Sequence, residues 1–372
     1  MNPKAYWVGF NYVKGIGSVR LNRLLQAFDG DLKAAWEASY EKLIAIRLHP
    51  RLVEQLLKIR SQIDLERIWE NIERKAIQVI TWEDETYPAL LRQIDQPPPV
   101  LYVKGEYLPE DEMAVAVVGT RRVSAYGKQV AEELAAFLAR NRVTVISGLA
   151  RGTDAVAHQS AVRAGGRTLA VLGCGVDVVY PPEHAKLAEE IIANGALISD
   201  YPPGTPPESS NFPPRNRIIS GLALATVVIE AGDTSGALIT ASFAADQGRE
   251  VLAVPGNIHS PNSKGVNRLI QNGARPLLNP SDVLESLNIQ QVNTRRIARK
   301  VLPSDETEAK LLQVMGEDNL TADEISFLSG LPIDKVSSCL IMMELKGLVR
   351  NNGGMNYRAI REEMETYLGN DE

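Results

Sequence analysis

From the N-terminus to about residue 80, apolar positions recur at helical spacing in stretches such as WEASYEKLIAI and LVEQLLKIRSQIDLERIWENIERKAI. Within VKGIGSVRLNRLLQAF, residues 13 to 28, a Gly-Ile-Gly turn separates two apolar helical segments. That is the layout of a helix-hairpin-helix, or of a plain connector with a glycine cap. A small helical domain over residues 1–80, of sterile-alpha-motif-like or helix-hairpin-helix type, is expected. A boundary follows, with strand-like IQVITW and then Pro97, Pro98 and Pro99, which no helix interior tolerates. The pattern then changes to short β-branched runs: AVAVVG (114–119), VTVIS (143–147), TLAVLG (168–173), ALIS (196–199), ATVVIE (225–230) and EVLAVPG (250–256). Amphipathic stretches such as YGKQVAEELAAFLARN lie between most of them. Continuous apolar strands alternating with helices predict an α/β domain over residues 81–288, a Rossmann-like, doubly wound, mostly parallel sheet. The polar segment 289–304 reads as a linker. Over 305–365, ETEAKLLQVMG, TADEISFLSG and PIDKVSSCLIMMELKG predict three helices, and LVRNNGGMNYRA predicts a hairpin about an Asn-Gly turn. Three helices and a hairpin in this order predict a winged helix.

Composition narrows the class. At 372 residues the chain exceeds one ordinary core, and 44% hydrophobic with 23% charged residues suits several globular cores. Charge interrupts the longest apolar runs well short of the ~18 residues of a membrane span, and the first residues carry no signal-peptide pattern. Two cysteines, Cys174 and Cys339, are no disulfide framework, and no Cys or His pair has metal-ligand spacing. A cytoplasmic protein with no metal, no cofactor and no membrane contact is expected. The net charge of −6 argues against a polyanion partner only if charge is evenly spread. Residues 113–287 hold 15 basic and 15 acidic residues, so the arrangement decides.

Four loops fall beyond the C-terminal ends of the predicted strands, where open α/β sheets bind ligands. In VGTRRVSAYG (118–127), Gly119 permits a tight turn, Arg121 and Arg122 bring charge, and Ser124 caps a helix whose N-terminus favours an anion. The competing reading is an ordinary turn with solvated arginines. SGLARGTDAVAH (147–158) contributes Gly148, Arg151 and Gly152. LGCGVDVVYPP (172–182) has Gly173 and Gly175, but Val178 stands where a dinucleotide fingerprint needs its third glycine, and Gly127-Lys128-Gln129 is no P-loop. Generic phosphate contact survives; a nucleotide cofactor does not. The longest loop, SDYPPGTPPESSNFPPRNRIISG (199–221), brings Phe212 beside Arg215, Asn216 and Arg217, one ring to stack on a base and two guanidinium groups for phosphates. Phe212 as a mere loop anchor is the alternative. Ser235, Gly236 and Thr240 line a second helix start. With Arg121, Arg122, Arg151, Arg215 and Arg217 at one sheet edge, one face is expected to be positive.

Together these loops, with EAGDTSGALITA and VLAVPG, resemble the DNA-processing protein A family (DprA, also called Smf) from Val115 to Leu287, and the flanking regions resemble that family's terminal domains. The resemblance implies a homodimer that binds single-stranded DNA and loads the RecA recombinase during natural transformation, with single-strand-binding protein a further candidate partner. Thr153 and Asp233 depart from the family pattern, and Asp233 puts a carboxylate near the proposed phosphate path. The sheet also resembles nucleoside-monophosphate phosphoribohydrolases of the lysine-decarboxylase-like group, with Glu230 the candidate acid, although EAGDTSG replaces that group's PGGxGT loop. No nucleophile is paired with a base, so no catalytic residue is assigned. The last predicted helix has lysines only at its ends, Lys335 and Lys346, which favours protein contact over major-groove reading.

Overall fold

The β-branched runs become the strands they predict. In the computed structural model the described residues are 1–287, 306–315, 319–345, 349–351 and 356–359. They divide into two units, Met1–Leu287 and Asn288–Glu372. In the first, β1 (Gln78–Thr81), β2 (Val100–Gly105), β3 (Ala114–Val118), β4 (Thr144–Ser147), β5 (Thr168–Val171), β6 (Gly195–Ser199), β7 (Ala225–Val228), β8 (Glu250–Ala253) and β9 (Arg275–Pro276) form one sheet in the order β1-β2-β6-β5-β4-β3-β7-β8-β9. The strands from β6 to β9 across this order run parallel, with Val115 opposite Val145 on one side and Ala225 on the other. Every residue of β3 to β7 is buried, which is why these segments read as unbroken apolar runs.

The chain winds outward from β3 in both directions, so the sheet is doubly wound and its topological switch point lies between β3 and β7. Ala114, Ala116, Val118, Ile146 and Val171 share a core with Ile218, Ile219, Ala237 and Ala241, so helices Phe212–Gly221 and Gly236–Asp246 cover one face. On the other, Ala170, Leu172 and Leu197 pack with Ala155, Leu187 and Ile191. Two strands go beyond the sequence reading. β2 begins directly after the three prolines, and with β1 it adds an antiparallel flank; β9 has two residues.

Ahead of β1 the chain folds as six helices, Lys4–Asn11, Ser18–Ala27, Leu32–Glu37, Tyr40–Ala45, Pro50–Gln62 and Leu65–Arg74. Asp31, Ser39 and Asp64 cap three of them, satisfying backbone donors that have no partner within the helix. The expected turn is present between the first two, with Gly15 at φ +96°. A boundary at residue 80 does not divide the core: Trp7, Phe10 and Trp36 lie in the same apolar cluster as Val79, Val100, Tyr102 and Leu197. Lys4 pairs with Asp84 at 2.7 Å and Lys75 with Asp177 at 2.6 Å across the junction.

The second unit has helices Glu306–Met315, Ala322–Ser329 and Ile333–Leu345 with strands β10 (Asn319–Thr321), β11 (Val349–Asn351) and β12 (Asn356–Ala359), ordered β10-β12-β11. This is a winged helix with one strand more than the hairpin expected. Leu340 and Met343 are buried with Leu311, Ile325 and Val336, so the apolar interior of the last helix serves the core. The linker 289–304, Lys346 and the Asn352-Gly353 turn lie outside the described residues. Among those described, no single helix is long and apolar enough to cross a membrane, and no group of three His, Cys, Asp or Glu could hold a metal ion.

Asp111, fully buried ahead of β3, ties the antiparallel flank to the parallel strands. It accepts from Arg167 Nε and Nη2 at 2.9 and 2.8 Å, from the Thr144 hydroxyl at 2.8 Å and from the Leu108 amide at 2.8 Å. Removing the cation leaves a buried carboxylate uncompensated, so Arg167→Ala is expected to lower stability by about 3–5 kcal/mol, read as a shift of the urea unfolding midpoint.

Candidate nucleic-acid interface

At the switch point the segments after β3, β4, β5, β6, β7 and β8 enclose a cleft of about 710 Å³. Its walls hold Gly119, Arg121, Arg122, Phe212, Arg215, Asn216, Ser235, Gly236 and Thr240, nine of the sixteen positions expected from sequence. Gly119 is needed for space: a Cβ there would lie 2.5 Å from the Thr153 hydroxyl. Arg121 and Arg122 stand exposed at the mouth, and the Arg121 guanidinium sits 5.8 Å from the Phe212 ring centroid. Opposite them, Ser235 caps helix Gly236–Asp246 by accepting from the Ala237 amide, and no atom lies near the place of a Gly236 Cβ. That wall offers an open, positive helix end. Asn216 donates to the Gly236 carbonyl at 3.3 Å and holds the two walls in register.

The segment read as a long irregular loop is helical from Phe212 to Gly221, and this corrects the roles expected of its arginines. Two prolines in a first helical turn remove only donors that have no partner there anyway. Once helical, positions 215 and 217 point about 200° apart. Arg215 turns inward beneath the cleft, 4% exposed, donating to the carbonyls of Val171 and Gly148. It is a brace and offers no free fork to a phosphate. Arg217 turns away from the cleft and pairs with Asp200 at 2.8 Å. The Phe212 ring lies 5.7 Å from that of Tyr180 and rests on Gly173, where a Cβ would come within 2.8 Å.

The remaining expected residues shape the loops from outside the cleft. Gly148 leaves room for Arg215 and Asp154. Asp154 is buried and accepts from the Gly148 and Ala150 amides at 3.1 and 3.3 Å. Burial raises its pKa, opposed by the Arg215 charge and these amides. Gly152, at φ +76°, would press a Cβ to 2.4 Å from the Thr120 carbonyl. Gly175 packs against Asp177 and Gly204. Arg151 is exposed but paired with Glu183. Ser124 caps helix Ala125–Arg140 and gives its hydroxyl to Glu230 at 2.6 Å, while its amide donates to the second Glu230 oxygen at 2.9 Å. Asp233 is exposed, 3.5 Å from Arg268, and outside the cleft lining. The sequence reading missed Tyr180, Ile239 and Asn262, which also line it. Tyr180 carried a signal, an aromatic residue at the end of a ligand-edge loop; Asn262 and Ile239 carried none.

With this geometry in place, the comparisons identify the lineage. A family model described as DNA recombination-mediator protein A matches residues 78–288, and a DprA winged helix model matches 298–355. Protein Smf of Synechocystis is 35% identical over 394 residues, covering 96% of this chain and 99% of its own. The DNA processing protein DprA of Bacillus subtilis is 39% identical over 224 residues, 60% of this chain and 75% of its own. The X-ray structure of DprA from Streptococcus pneumoniae superposes with a TM-score of 0.66 at 32% identity, covering 77% of this chain and 98% of that one. DprA of Helicobacter pylori, described for its single-stranded DNA binding mode, gives 0.52 at 29% identity over 57% and 97%. The chain belongs to the DprA/Smf family.

Two outcomes follow from the buried groups. Arg215→Ala, by stranding two carbonyls and Asp154, is expected to cost about 3–5 kcal/mol in urea unfolding, whereas Arg121→Ala is expected to cost under about 0.5 kcal/mol. His158 gives a pH dependence. Burial, then the charges of His184 and Arg215, lowers its pKa from 6.5 to about 3. The Thr168 hydroxyl donates to the Val145 carbonyl, so the Nδ1–H of His158 donates to Thr168, and Nε2 faces no partner that could accept a proton. The unfolded chain therefore binds this proton first as pH falls. Stability is expected to drop below pH 6.5 by up to about 1.4 kcal/mol per pH unit from this residue. His158→Asn should flatten that slope between pH 6.5 and 5, whatever its own baseline.

Proposed function

We propose that this protein binds single-stranded DNA in the switch-point cleft, protects it, and hands it to the RecA recombinase during DNA uptake, working as a homodimer without covalent chemistry. The observation that carries the reading is the pairing of two exposed arginines with an aromatic wall, Phe212 and Tyr180, in one cleft. Cations hold a backbone and rings hold bases, and neither reads sequence. The relatives' names support the same direction, and the H. pylori protein's single-strand binding mode supports the choice of strand.

The phosphoribohydrolase reading rests on Glu230. Both of its oxygens accept from Ser124, it is 3% exposed, and it does not line the main cleft. A carboxylate so employed holds a helix start in place and is a poor candidate for acid–base work. The test is direct: incubation with nucleoside monophosphates is expected to release no free base, and release abolished by Glu230→Gln would favour the enzyme.

Binding is expected to prefer a single strand over a blunt duplex of equal length. With Arg121 and Arg122 as the candidates, about two phosphates are neutralised, so log affinity should fall against log salt with a slope of about −1.4. Phe212→Ala is expected to weaken binding by about 1–3 kcal/mol and leave the slope unchanged. A lowered unfolding temperature with binding spared would return Phe212 to the role of anchor.

A further inference from the structure

A smaller cleft of about 470 Å³ lies beside the main one, lined by Ser124, Tyr126, Glu230, Pro255, Asn257 and Ser260 among others. The same three chain segments wall both. Residues 121–122, 232 and 262 face the main cleft; residues 124, 126, 230, 255–257, 260 and 263 face the smaller. They meet at a ridge where the Asn262 side chain donates to the Arg122 carbonyl at 3.1 Å. Tyr126 is 51% exposed in the smaller cleft, yet its hydroxyl donates to the Pro255 carbonyl at 3.0 Å. An exposed aromatic ring is ordinary by itself. One held at its far end, at the rim of a cleft and four residues from an exposed arginine, is a preorganised flat surface. The wall chemistry excludes a phosphate, because the Glu230 carboxylate lies in it with no cation paired to it. A neutral base meets no such objection, and Asn257 and Ser260 add polar groups to the same cleft.

We propose that Tyr126 is a second base-stacking platform, on which a single strand rests after crossing the Arg122–Asn262 ridge. The proposal rests on the single-strand reading above and extends the bound length beyond the main cleft.

Photo-cross-linking of the full-length protein with oligonucleotides carrying 5-iodouracil at successive positions, mapped by mass spectrometry, tests it. Adducts are expected on Tyr126 at nucleotide positions offset from those that label Phe212 or Tyr180. Tyr126→Ala should weaken binding at least about fivefold, the lower end for one stacked base, for strands long enough to span both clefts. Shorter strands should bind the variant as they bind the wild type. Tyr126→Phe, which keeps the ring and loses the tether, should stay within about twofold. Main-cleft adducts without any on Tyr126, equal losses for the Phe and Ala variants, or an Ala variant that changes only the oligomeric state in light scattering would each overturn the proposal. A wild-type protein that binds no single strand would remove the reading beneath it, and this platform with it.

Discussion

The cleft depends on one buried cation. Arg215 reaches from helix Phe212–Gly221 under the floor to the carbonyls that end β4 and β5, beside the buried carboxylate of Asp154. A guanidinium taken out of water is costly unless its donors are used, and here neighbouring loops use them. Those loops are thereby held to the same helix that carries Phe212. The ring, the Gly173 backbone beneath it and Tyr180 beside it hold their positions because Arg215 cannot move without stranding several polar groups at once. The Arg121 and Arg122 side chains stay exposed at the mouth.

Much of this was legible along the chain. Six β-branched runs became six sheet strands, and the glycine, arginine and serine loops fell on the ligand edge, because a parallel sheet buried on both faces permits few polar interruptions within its strands. The failures have physical causes. β2 was hidden by Pro97–Pro99, although prolines before a strand constrain only its approach. Helix Phe212–Gly221 was read as a loop because Pro213 and Pro214 suggest a break, yet prolines belong in a first turn. That error propagated to chemistry: two arginines two residues apart share an edge in an extended loop and point oppositely in a helix. Side-chain pairing was equally invisible, since the Arg151–Glu183 and Arg217–Asp200 partners lie far apart in sequence.

The charge puzzle resolves through the same pairings. Within residues 113–287 of a chain of net charge −6, seven of twelve arginines are held by carboxylates or backbone carbonyls, while Arg121 and Arg122 stay exposed at the cleft. For the proposed single-strand partner, the exposed arginines at the mouth would supply the attraction, with a modest salt response.

The two walls of the cleft also differ in kind. One ends in a proline-started helix, which has given up backbone donors at the very turn that presents Phe212; the other ends in a helix opening at Ser235 and Gly236, with its amides and dipole directed at the space between. A flexible polymer with an anionic side and a flat aromatic side can lie between such walls comfortably in only one roll about its own axis. For the single strand proposed above, such walls would sort its faces without inspecting the identity of any base.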